Sequence, residues 1–212
     1  MLTLILNWSS DIEYFLDTFV TYHALSAYII FSVIIFLQLA FVPAAFLPGD
    51  SIIIAAGILA GHLSKSFHIH LLFIILMFSA LLATNLNYFI GEWLGPKIFT
   101  AKNSVFFKPK YITKTDKLYK NWGGNIILFG SFIPIIRTFI PFMAGVSSMH
   151  FLRFAIYNFI GITLWIGLLL YGSYLFANVS IVKEYYSIIL FLIMLISILS
   201  TVVELIREKW FS

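Results

Sequence analysis

Two charged side chains, Asp50 and Arg137, stand inside long apolar stretches of the chain. A charge near the centre of a bilayer costs at least ~2.5 kcal/mol, so such residues persist where they meet a partner, a cavity or a substrate. Arg137 offers a planar fork of donors suited to phosphate oxygens. Asp50 suits either of two jobs: pairing with Arg137 to neutralise it between substrate loads, or carrying a proton. A buried ion pair that only locks two segments together is the bland alternative, and it is compatible with both. The surroundings of the two residues match. Phe46-Leu47-Pro48 precedes Asp50 and Phe132-Ile133-Pro134 precedes Arg137, and the segments run on to Ala56-Gly57 and Ala144-Gly145. Proline lacks a backbone donor and glycine tolerates unusual dihedrals, so helix breaks are expected at Pro48-Gly49, Pro134 and Pro141. A break exposes a helix N-terminus, whose free amides attract anions.

The elements that carry these residues are set by composition. Of 212 residues, 61% are apolar and 10% are charged, with a mean hydropathy of +1.01. A soluble domain is about 25% charged, so too few charges remain here to clothe a surface in water. The chain reads as an integral membrane protein. It has no cysteine, which excludes disulfides, thiolate metal sites and cysteine catalysis. Stretches without a charge cover 18–49, 66–91, 121–136, 138–152, 154–182 and 185–203. A spanning helix needs about 20 apolar residues, so the first, second, fifth and sixth are long enough. The third and fourth are short arms around Arg137 and suggest a re-entrant hairpin over 123–147. Residues 39–63, centred on Pro48-Gly49-Asp50, read the same way.

The expected fold is therefore all-α and polytopic, with about four transmembrane helices and two re-entrant hairpins. Asn87-Tyr88-Phe89-Ile90-Gly91 is echoed by Asn158-Phe159-Ile160-Gly161. With the matching tripeptides and the opposite openings expected of the hairpins, this points to an inverted repeat, which transporters use to bring broken helices together around a substrate.

The ends and the middle set the topology. Residues 1–24 contain Ser10-Asp11-Ile12-Glu13, a capping box, followed by Ile12, Phe15, Leu16, Phe19 and Val20 at helical spacing, and read as an interfacial helix. No signal peptide is expected, and 25–210 read as one membrane domain. Seven lysines and one acid crowd 97–120, so the loop over about 95–122 is placed in the cytoplasm, with an amphipathic helix on the inner leaflet. Arg207-Glu208-Lys209 place the C-terminus on the same side. No nucleic acid partner is expected.

The remaining polar residues read as structural. Asn85 and Asn87, two apart in a span, face different sides and suit interhelical hydrogen bonds. Glu92 and Trp93 are expected at the interface. His68 and His70 read as a solvated loop pair. Ser131 has no neighbouring base to make it a nucleophile.

The segment 39–61, with Pro-Ala-Ala-Phe-Leu-Pro-Gly-Asp-Ser, and the segment 130–165, with Phe-Ile-Pro-Ile-Ile-Arg-Thr-Phe-Ile-Pro-Phe-Met-Ala-Gly-Val, resemble the DedA family of bacterial inner-membrane proteins, also known by the SNARE-associated or VTT-domain name. The resemblance extends through Met149, Phe154, Asn158, Gly161 and Trp165 and covers nearly the whole chain after about residue 25. It implies a multi-pass protein of the bacterial inner membrane that returns undecaprenyl phosphate, or a similar anionic lipid carrier, across that membrane. It also implies links to the proton-motive force, envelope integrity and cell division. The family's functional set is two acids near the first hairpin and two arginines near the second. Asp50 matches the second acid and Arg137 the second arginine. The first acid falls on Gln38 and the first arginine on Ser131. Gln38 cannot carry a proton and Ser131 cannot neutralise a phosphate. An acid and a base are lost together, as is expected if they normally pair. The expected substrate-binding set is thus Gln38, Gly49, Asp50, Ser131 and Arg137, acting on a polyprenyl phosphate among the membrane lipids. Proton coupling would rest on Asp50, no cofactor is called for, and a homo-oligomer is compatible. The other readings are a non-transporting membrane factor acting through partners, which Gln38 and Ser131 favour, and a lipid phosphatase, for which no nucleophile–base pair is seen.

Overall fold

The computed structural model describes residues 22–44, 47–62, 67–100, 124–177 and 179. The expectations placed on 1–21, on most of the basic segment, on 185–203 and on the C-terminal charges lie outside the described residues.

Every described element is helical: α1 (Ala24–Ala40), a 3-10 turn (Val42–Ala44), α2 (Gly49–His62), α3 (Ile69–Thr100), α4 (Asn125–Gly130), α5 (Pro134–Val146) and α6 (Phe151–Ala177). Within α3 and α6, the stretches Ile69–Gly95 and Phe151–Ala177 are long and apolar enough to cross a membrane. At 1.5 Å per residue, each of these 27-residue stretches is about 40 Å long, against a hydrocarbon core of about 30 Å. Their outward faces are greasy. Along α3, Leu71, Ile74, Phe78, Leu82, Leu86, Phe89 and Trp93 are exposed at helical spacing, and along α6 so are Ile156, Phe159, Leu164 and Leu168. A soluble protein rarely exposes such continuous apolar surface, whereas lipid favours it.

Several boundaries differ from those read in the sequence. Leu39 and Ala40 end α1 instead of opening a hairpin, because no proline or glycine interrupts 24–40. The first interruption spans 41–48, where Pro43 sits in the 3-10 turn, and α2 starts directly after Pro48, whose carbonyl accepts from Ile52 N–H at 3.1 Å. Asp50 lies in the first turn of α2, where a carboxylate complements the helix dipole. Pro141 breaks nothing, for α5 runs through it to Val146. Arg137 is one turn inside α5, not between two arms. Finally, α3 continues to Thr100, past Glu92, Trp93 and Pro96, beyond the expected start of the basic loop near residue 95.

Contacts divide the chain into two compact units. The first draws on Met1–Ile34, Phe46–Leu76 and Ile166–Ser212, the second on Ile35–Ala45 and Met77–Trp165. In the first, Tyr28 stacks on Phe67 at 4.6 Å and its hydroxyl accepts from His68 N–H at 2.8 Å. Here α2 lies against the end of α6 through small residues: Gly57 faces Ser173 and Leu170, and Gly61 faces Ala177. His70 belongs to the first turn of α3, not to a loop, and its Nδ1 is 2.9 Å from the Tyr171 hydroxyl.

In the second unit α3 and α5 touch backbone to backbone. A Cβ on Gly145 would lie 2.0 Å from the Tyr88 carbonyl oxygen, and one on Gly91 would lie 2.1 Å from that of Phe142. Tyr88 stacks on Phe154 at 4.7 Å, and its hydroxyl donates to the Met149 carbonyl. Asn158 Nδ2 donates to Thr84 Oγ1 at 2.8 Å, a second tie between α3 and α6. The end of α5 is a Schellman turn: Met149 N–H reaches the Ala144 carbonyl and Ser148 N–H that of Gly145. Ser148 takes the left-handed position, with φ of 52°, which costs an L-residue roughly 1–2 kcal/mol.

Two substitutions of opposite sign test this packing. Gly145→Ala should lower the melting temperature in detergent sharply, because its Cβ has no room, at a cost of about 1–3 kcal/mol or more. Ser148→Gly should raise it, by about 1 kcal/mol of relieved strain. Equal melting temperatures for wild type and Gly145→Ala would refute the close approach.

Candidate functional site

The second unit builds its polar centre from two interrupted helices. Between α4 and α5 the chain turns over Ser131, Phe132 and Ile133. Ile133 is extended, with φ of −105° and ψ of 114°, as a residue before proline prefers. Pro134 then opens α5, where its missing N–H costs nothing. The expected break at Pro134 is thus present. It places Arg137 in the first turn, its N–H donating to the Ile133 carbonyl at 2.9 Å.

Arg137 is 4% exposed. Its guanidinium carbon lies 4.0 Å from the centre of the Trp165 ring, which is also buried. Such a cation–π contact is worth about 2 kcal/mol when desolvated. The ring thus holds the guanidinium at one end of a short helix. Among the expected residues, Arg137 is therefore a fixed, oriented cation in apolar surroundings.

Asn87 on α3 ties this turn to α1. Its Nδ2 donates to the Leu39 carbonyl at 2.9 Å and to the Thr138 carbonyl at 2.8 Å. The first of these is a terminal carbonyl of α1, which has no donor from its own helix. The second lies next to the carbonyl that Pro141 cannot serve, that of Arg137. One carboxamide thus answers the end of α1 and anchors the turn of α5 beside its proline-orphaned carbonyl. It also brings the backbones flanking Gln38 and Arg137 onto a single nitrogen.

The other expected residues divide. Gln38 is buried in the same unit, and its Oε1 has no hydrogen-bond partner. Ser131 is buried too, but its hydroxyl donates to the Ile127 carbonyl at 2.7 Å and packs against Gly161. Its donor is spent on its own helix. Pro48, Gly49 and Asp50 lie in the first unit, at the start of α2, with Gly49 buried and Asp50 half-buried. Sequence reasoning missed the roles of Trp165 and Thr138. Trp165 carried a usable signal: membrane tryptophans favour the interfaces, yet this one lies near the middle of α6. The same unit holds an open groove of about 500 Å³ lined by Leu81, Asn85, Ala155, Ile156, Phe159 and Ile160, with Asn85 its single amide.

Replacing Asn87 with Leu should leave the Leu39 carbonyl without a donor and take a second donor from that of Thr138, destabilising the fold by about 1–3 kcal/mol. The check is thermal unfolding in detergent, with Asn85→Leu as the neighbouring comparison. A melting temperature for Asn87→Leu equal to that of Asn85→Leu would contradict the bridging role.

Comparison with known proteins places this geometry. The VTT domain model matches residues 47–175. Protein DedA of Escherichia coli (strain K12) is 37% identical over 161 residues, covering 76% of this chain and 74% of that protein. An uncharacterized membrane protein of Mycobacterium tuberculosis (strain ATCC 25618 / H37Rv) is 30% identical over 159 residues, 75% of this chain and 70% of its own. The inner membrane protein YghB of Escherichia coli (strain K12) is 29% identical over 170 residues, 76% of each chain. No solved structure matches. With the domain model covering both Arg137 and Trp165, the chain belongs to the VTT-domain, or DedA, family of membrane proteins.

Proposed function

We propose that this chain moves an anionic lipid carrier, undecaprenyl phosphate or a close relative, across the bacterial inner membrane, and that it catalyses no chemical reaction on it. The observation that carries this reading is Arg137: a buried guanidinium, held over the Trp165 ring, in the first turn of a short helix. A fixed cation at a helix N-terminus in apolar surroundings suits a phosphate group. The apolar groove beside Asn85 suits a lipid chain. In this reading the protein is multi-pass. The pair α4–α5 enters the membrane and returns, for α5 with 13 residues is about 20 Å long and falls short of the bilayer core. With 14 residues, α2 is short in the same way. Asp50 supplies the proton-carrying carboxylate.

A second reading, a membrane factor that acts through partners without transport, is favoured by Ser131. Its hydroxyl is absorbed into helix packing, and Gln38 carries no charge.

Flip of undecaprenyl phosphate in proteoliposomes separates the two. Wild type should move the lipid, Arg137→Ala should lose at least about tenfold of the rate, and Arg137→Lys should recover part of it, since Lys keeps the charge without the fork. Asp50→Asn should abolish any stimulation by a pH gradient and leave the gradient-free rate. Folded wild type that moves no lipid would sink the transport reading and leave the partner role.

A further inference from the structure

Among the described residues, several hydroxyls on or next to a helix spend their proton on the carbonyl four residues back. Ser32 reaches Tyr28, Thr84 reaches Ala80, Ser131 reaches Ile127 and Ser173 reaches Leu169, all at 2.7–2.8 Å. Thr138 does not. It is 0% exposed, and its Oγ1 is buried without a hydrogen-bond partner. A buried hydroxyl in this state is a standing cost. Gln38 Oε1, in a side chain that is 2% exposed, is in the same condition. The two belong together, because Asn87 Nδ2 binds both the Thr138 carbonyl and the carbonyl of Leu39, the neighbour of Gln38. Thr138 also follows Arg137 directly on α5.

We propose that Thr138 is a second phosphate-binding residue: its Oγ1–H donates to an oxygen of a phosphate monoester held by Arg137, with the Gln38 carboxamide turned to present its N–H. This rests on the reading that Arg137 meets a phosphate. The ligand class follows from charge. Next to a guanidinium a metal cation is repelled, while a phosphate brings acceptor oxygens that take the donors Thr138 and Gln38 can offer. A buried water is the neutral competitor, and it would serve both groups in every state of the protein.

The test uses the full-length protein in detergent, with farnesyl phosphate, inorganic phosphate and farnesol as probes, and thermal shift and calorimetric affinity as readouts. Wild type should be stabilised by farnesyl phosphate more than by farnesol. If inorganic phosphate alone reproduces that stabilisation, the site takes free phosphate; if only farnesyl phosphate does, it takes the lipid headgroup. In either case Thr138→Val should weaken binding of the effective probe about tenfold, Thr138→Ser should restore it, and ligand-free Thr138→Val should melt no lower than wild type. Gln38→Met, a near-isosteric loss of the amide, should weaken the same probe.

Unchanged affinity in Thr138→Val overturns the assignment and leaves Arg137 as the phosphate residue. A drop of several degrees in ligand-free Thr138→Val overturns it too, since the hydroxyl would then be satisfied by structure or water. Equal stabilisation of wild type by farnesol and farnesyl phosphate, with no effect of inorganic phosphate, overturns the Arg137 reading and this one together.

Discussion

A single carboxamide nitrogen, Nδ2 of Asn87, fixes how the second unit is assembled. In lipid no water satisfies a stray carbonyl, so every interruption of a helix must be answered from within the protein. The end of α1 leaves the Leu39 carbonyl unanswered, and the proline in α5 disturbs the turn that contains Thr138; Asn87 serves both. For that reach α3 and α5 must nearly touch, and the glycines at 91 and 145 allow it. Once the backbones are that close, Tyr88 finds both its ring partner, Phe154, and the Met149 carbonyl beyond α5. The strained Schellman turn at Ser148 then directs the chain into α6. Helix interruption, glycine placement and aromatic stacking are consequences of one hydrogen-bonding need.

The same assembly carries a charge into apolar surroundings. A buried guanidinium is not explained by stability, because apolar residues of similar volume would serve as well or better. Trp165 reduces the cost through its ring without cancelling the charge. The aromatic ring is one of the contacts that hold the guanidinium in place.

Much of this was legible in the sequence, and the parts that were not have physical reasons. Charge-free stretches located α3 and α6, since a bilayer imposes a length that composition reveals. The proline and glycine at 48–49 and the proline at 134 marked real helix starts, because the residue before a proline is driven out of helical geometry. Pro141 looked the same and was not a break: the helix tolerates one missing N–H where the next carbonyl, that of Thr138, is held from outside by Asn87, and no local rule shows that contact between residues 51 apart. The helix of α3 runs past the start expected for the basic loop because a helix tolerates charges such as those at 92 and 97 where an apolar run ends. The pairing of Arg137 with Trp165 depends on tertiary packing, to which spacing is blind. The interhelical role expected of Asn87 was present, although its acceptors proved to be backbone carbonyls.

The two uncharged side chains of the expected set, Gln38 and Ser131, are not equivalent. Ser131 is built into the fold. The serine hydroxyl closes onto its own helix, and the small side chain lets α4 approach α6 so closely that a Cβ at Gly161 would lie 2.6 Å from Ser131 Oγ. A long side chain there would force the helices apart, so position 131 now serves packing. Position 38 has not been absorbed in this way. Gln38 is as buried as the apolar residues around it, yet its Oε1 makes no hydrogen bond. A leucine or methionine would fill that volume without the cost of a desolvated amide. The polar atom at 38, beside the carbonyl bridge that leads to Arg137, is thus a cost that the packing around it does not repay.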